Sequence, residues 1–127
     1  MSSFTSPLIV SLLDNGKYWK LEKMFNYNVG DKYSSEVIEV PEGFLTDFAS
    51  IPQIFWSILP PVDRWGKSAV IHDYLYKKQI YSRKRSDEIF LEGMEVLKVS
   101  FIKRKIIYYT VRLFGKFTWN KYKNSDN

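Results

Sequence analysis

The repeat of apolar residues changes once along this chain, near residue 50, and few folds accommodate such a change. Before it the period is two. Leu8 to Leu13 is apolar, and Asp14-Asn15-Gly16 supplies residues that tolerate the positive φ of a tight hairpin. Lys17 to Tyr27 then sets Trp19, Leu21 and Phe25 on one face and Lys20 and Glu22 on the other. Gly30-Asp31 turns the chain, Glu36 to Val40 reads as a third strand closed by Pro41 and Gly43, and Phe44 to Thr46 as a short fourth.

After residue 50 the spacing is helical. Ser50 caps a short helix with Pro52 in its first turn and Pro60-Pro61 at its end. Trp65 to Lys77 carries Val70, Ile71, Tyr74 and Leu75 as apolar positions. Ser82 caps a helix to about Lys98 with a stripe of Ile89, Phe90, Met94 and Leu97. Ser100 caps a last helix from Phe101 to about Tyr122, bent or interrupted at Gly115. Strands followed by helices, without alternation, predict an α+β fold. The expectation is an N-terminal antiparallel sheet of three to four strands over about residues 4–48, packed against three to four helices over about 50–122. Residues 1–127 form one domain in this reading, with 123–127 disordered.

With 127 residues, 45% of them hydrophobic, the chain can bury a core unaided. It needs to, because there is no cysteine. Disulfides, thiolate metal sites and a cysteine nucleophile are all excluded. Met1 to Ser6 carries no basic stretch followed by an apolar run, so no secretory signal is expected. The most apolar stretch, Ile51 to Val62, is broken by Pro52, Pro60 and Pro61, so no transmembrane segment is expected. The net charge of +5 is unevenly spread. From Val96 to Ser125 there is no acidic residue, against Lys98, Lys103, Arg104, Lys105, Arg112, Lys116, Lys121 and Lys123. Such a segment is either a solvated helix face or a contact for phosphates, an anionic membrane surface or an acidic partner.

The single histidine, His72, precedes Asp73 on the predicted 65–77 helix. Tyr76 lies four residues on and shares its face, while Asp73 is about 100° around the helix. Asp87 falls one turn inside the next helix, and a short link makes the two helices antiparallel, bringing Asp87 towards His72. A carboxylate on one imidazole nitrogen fixes the tautomer and leaves the other able to take a proton, a general-base arrangement. Asp73 is then available to a divalent cation such as calcium, with further oxygen ligands. The alternative is a histidine satisfied by local hydrogen bonds in a helix pair. The loop from Gly43 to Pro52 places Thr46, Asp47 and Ser50 between a strand and a helix cap. These residues orient a histidine or ligate a metal in one reading, and form a structural turn that starts the helix in the other.

This loop, with Ala69-Val70-Ile71-His72-Asp73-Tyr74-Leu75-Tyr76, Ser82-Arg83, Asp87 and Val111-Arg112-Leu113-Phe114-Gly115, resembles a family of small uncharacterised proteins of bacteriophages and prophages. The likeness runs from about Trp19 to Trp119. It implies a phage origin, a place in the host cytoplasm or the virion, and weight on Thr46, Asp47, Ser50, His72, Asp73, Tyr76 and Asp87. More distantly, His72-Asp73-x-x-Tyr76 with a later Asp87 is similar to the core of secreted calcium-dependent phospholipases. That likeness implies His72 as the base, Asp73 as a calcium ligand, and Tyr76 and Asp87 as supports. Those enzymes carry many disulfides and a glycine-rich calcium loop before the histidine, and this chain has neither.

The expected function is therefore a small phage hydrolase acting on an ester, an envelope amide or a phosphodiester. The alternative is a non-enzymatic phage protein, either a virion or tail-assembly component or an inhibitor of a host protein, in which the histidine cluster is structural. Nucleic-acid binding through the basic helix, with Tyr108, Tyr109, Phe117 and Trp119 stacking, is the least favoured reading. Peripheral contact with an anionic membrane is open to the same helix.

Overall fold

The computed structural model describes residues 3–4, 7–13, 18–30, 36–47 and 62–125. Among the described residues the order is β1 (Ser3–Phe4), β2 (Val10–Leu12), β3 (Trp19–Leu21), β4 (Phe25–Asn28), β5 (Val37–Val40), β6 (Leu45–Thr46), α1 (Val62–Lys78), α2 (Arg83–Val96) and α3 (Phe101–Ser125). This is the α+β arrangement expected.

The strands form two three-stranded antiparallel sheets, β1-β4-β5 and β2-β3-β6. The single strand expected from Lys17 to Tyr27 is thus two, broken at residues 22–24, and β1 is a strand the alternation did not indicate. Yet the register is continuous. Counting residue for residue from Ser3↔Asn28 reaches Val10↔Leu21 with no insertion, and counting from Phe25↔Val40 reaches Lys20↔Leu45. Across the break, Glu22 N–H bonds to Ile9 C=O and Leu21 N–H to Phe44 C=O. The sheet is therefore a three-stranded meander, interrupted across its middle. Continuous register keeps one face apolar throughout. Leu21, Phe25, Tyr27, Ile38, Val40 and Phe44 are buried, while Lys20 and Glu39 between them are exposed. The Asp14-Asn15-Gly16 turn, and the short helix expected after Ser50, lie outside the described residues.

The helices cover the apolar face. Buried Trp65, Ile71, Leu75, Phe90, Met94 and Ile107 join the sheet residues in one core. α1 starts before the expected Trp65, and α3 continues through Gly115 without interruption to Ser125, so residues 123–125 are its last turn. Ser82 caps α2, its side chain accepting from Arg85 N–H. α2 ends in a Schellman motif: Val99 N–H bonds to Met94 C=O, Lys98 N–H to Glu95 C=O, and Lys98 takes φ of 63°. Ser100 then accepts from Lys103 N–H and starts α3. Two tight links make the helices antiparallel neighbours.

Candidate functional site

Because residues 79–82 are all that separates α1 from α2, the end of one faces the beginning of the other. His72 and Tyr76, a turn apart on α1, both meet Asp87 on α2. His72 Nε2 lies 2.7 Å from Asp87 Oδ1, and the Tyr76 hydroxyl donates to the same oxygen at 2.7 Å. The imidazole sits between the rings of Tyr76 and Phe90, with centroids 4.2 and 4.6 Å away. His72 is 2% exposed and Asp87 not at all.

Two further residues complete the cluster. Arg112, from α3, donates to Asp87 Oδ2 at 2.7 Å, and Arg83, one turn before Asp87 on α2, pairs with the same oxygen at 3.5 Å. Arg83 also donates to the Val111 and Arg112 carbonyls, at 3.3 Å each. Both arginines stand in the motifs that carry the family resemblance, but the sequence reading gives neither a place in the site. The available signal was that a carboxylate buried between helices needs a cation, and Arg83 stands four residues before it. Burial alone pushes the Asp87 carboxyl up, but the hydrogen bond from His72, with those from Tyr76 and Arg112, holds it below its ordinary value. Burial, together with the Asp87 acceptor, pushes the Tyr76 phenol up, so Tyr76 stays a donor.

Tyr76 is also held from behind. A Cβ at Gly115 would lie 2.5 Å from its hydroxyl oxygen and 3.2 Å from two ring carbons. Gly115→Ala should gain about 1 kcal/mol of helix propensity and lose about 1–3 kcal/mol to the clash. Since the ring is rigid and buried, a net loss of up to about 2 kcal/mol is expected in urea unfolding. A net gain would show that the ring yields freely.

Thr46, Asp47 and Asp73 form a separate group. Asp73 Oδ2 accepts from the Thr46 hydroxyl and from the Asp47 N–H, the latter at 3.2 Å. Asp73 is therefore turned to the β6 end of the sheet and not to Asp87. Asp87, not Asp47, is the carboxylate on His72. Ser50 lies outside the described residues. Among the described residues no group of three or more His, Asp or Glu side chains could hold a metal ion. Among the described residues, Asp73 Oδ2 is engaged by a protein O–H and a protein N–H.

Comparison with known proteins gives two findings. An uncharacterised protein of Sinorhizobium fredii (strain NBRC 101917 / NGR234), y4jT, is 37% identical over 78 residues, covering 60% of this chain. The chain spans only 23% of that relative's length. No solved structure matches. No helix among the described residues is long and apolar enough to cross a membrane. Residues 19–111, which include His72, Asp73, Tyr76 and Asp87, match the family described as "Protein of unknown function (DUF1353)", and the chain belongs to that family.

Proposed function

We propose that this chain is a small phage-encoded hydrolase in which His72 is the general base and Nδ1 the atom that takes the proton. One observation carries the reading. Nδ1 is buried and has no hydrogen-bond partner among the described residues, while Nε2 is held by Asp87. An ionised Asp87 accepts only, so the ring carries its proton on Nε2 and keeps a lone pair on Nδ1. A histidine retained only to fasten helices ordinarily has both nitrogens satisfied. In the step proposed, Nδ1 removes a proton from water as the water oxygen bonds to a carbonyl carbon or a phosphorus. The imidazolium, stabilised by Asp87, then returns the proton to the departing oxygen or nitrogen. Tyr76, Arg83 and Arg112 position Asp87, while Thr46 and Asp47 hold Asp73 at the β6 end of the sheet. The phage origin rests on the motifs around Asp47 and His72.

The non-enzymatic reading, a virion or tail-assembly component or an inhibitor of a host protein, is favoured by a different observation. His72 is only 2% exposed, as suits a polar network that locks helices. One variant separates the two. His72→Gln can still donate to Asp87 but lacks the basic nitrogen. Wild type and variant are assayed on an aryl ester, a peptidoglycan amide and a phosphodiester, with folding checked by circular dichroism. The base reading expects turnover of one class by wild type and a loss of about 10²–10⁴-fold in the variant. A wild type inert on all three, or a variant as active as wild type, overturns it.

A further inference from the structure

α3 presents two apolar faces. Ile107 and Val111 point into the core, while Ile102, Ile106, Tyr109, Leu113 and Phe117 recur every three or four residues on the opposite side, 46% to 71% exposed. At about 100° per residue these five occupy a sector of about 80°. The stripe is about 22 Å long at 1.5 Å per residue. The same projection sets Lys105 and Lys116 along one border and Lys103 and Lys121 along the other. The Lys105 and Lys116 ammonium groups rest 5.5 Å and 5.4 Å from the ring centres of Phe101 and Phe117. No acidic residue occurs between Val96 and Ser125.

We propose that this face binds the surface of an anionic lipid bilayer, with α3 lying in the plane of the interface. The stripe would sit among the upper acyl chains and the lysine rows at the headgroups, their stems covering apolar area while their charges stay wet. Charge decides between occupants. A second copy would bring lysine rows against lysine rows, with no carboxylate on either helix to relieve them. A single-stranded nucleic acid would find phosphate partners, but Ile102, Ile106 and Leu113 at the centre of the stripe offer no ring to stack on. An acyl layer under anionic headgroups matches both the aliphatic centre and the basic borders. A lone exposed apolar residue needs no explanation, but a contiguous stripe does. This inference stands apart from the chemistry assigned to His72.

The test is co-sedimentation of the whole chain with phosphatidylcholine vesicles, with and without phosphatidylglycerol. The comparison variant is Ile106→Asp/Leu113→Asp, whose two positions are exposed and so leave the fold intact. The proposal expects wild-type partitioning to rise about tenfold or more on adding phosphatidylglycerol, to fall with salt, and to vanish in the double variant. Equal partitioning onto both vesicle types, or binding unchanged in the double variant, overturns it. So does a dimer that Leu113→Asp dissolves without any vesicle binding, and so does salt-sensitive binding of a single-stranded oligonucleotide with no vesicle binding.

Discussion

Replacing Asp87 by alanine is expected to remove about 3–5 kcal/mol of folding stability, a large share of what a domain of this size has. The lost carboxylate volume is the smaller part. The larger part is what stays behind: the buried His72 Nε2 and Tyr76 hydroxyl lose their acceptor, and two guanidinium groups lose their counter-charge. Arg83 and Arg112 have side chains 21% and 29% exposed, so they can turn towards solvent and recover part of the cost. His72 and Tyr76 cannot. The corresponding fall in melting temperature is roughly 10–25 °C. Acid adds a second signature. A carboxyl held lower in the folded than in the unfolded chain contributes stability above its unfolded pKa and loses it as pH falls through the folded one. The wild type should therefore lose stability below about pH 4, and the alanine variant should show a flatter acid limb. A loss under about 1 kcal/mol would mean that the cluster does not hold α1, α2 and α3 together.

How much of this was legible in the sequence depends on how local each signal is. The cap at Ser82 and the stripe through Ile89, Phe90 and Met94 are properties of one helix, and both stand as read. The break at residues 22–24 was hidden because alternation is the same on either side of an interruption that keeps register, and β1 is too short to show a period. His72, Tyr76 and Asp87 could be brought together from the spacing of four on α1 and the shortness of the link to α2. Asp73 was grouped with them in sequence, but a rotation of about 100° around α1 is enough to turn it to Thr46 and Asp47. Arg112 was beyond reach, because its pairing with Asp87 depends on how α3 registers against α2, which no local pattern encodes. Gly115 was read as a place where α3 bends, and its absent side chain instead makes room for Tyr76.

The near-isosteric change Asp87→Asn is expected to leave the fold largely in place and to move the proton of His72 from Nε2 to Nδ1. The amide has one acceptor end and one donor end, so its orientation is decided by its neighbours. The Oδ2 position faces Arg112 at 2.7 Å and Arg83 at 3.5 Å, both donors only. The carbonyl oxygen must take that side, which puts the NH₂ where Oδ1 was, against His72 Nε2 and the Tyr76 hydroxyl. The Tyr76 hydroxyl can rotate to accept. An N–H cannot accept from Nε2–H, so Nε2 gives up its proton and becomes the acceptor, and the neutral ring carries hydrogen on Nδ1. The stability cost should be about 1–2 kcal/mol, well short of the alanine variant, because shape and most hydrogen bonds survive. If Nδ1 is the base, turnover falls by about 10²–10⁴-fold, because the lone pair is no longer where water would meet it. Nitrogen-15 shifts of the single histidine read the tautomer directly and need no knowledge of substrate. An exchanged tautomer with undiminished turnover would remove His72 as the base. An unchanged tautomer would mean that Asp87 does not set the ring's protonation, and the assignment of Nδ1 would fall with it.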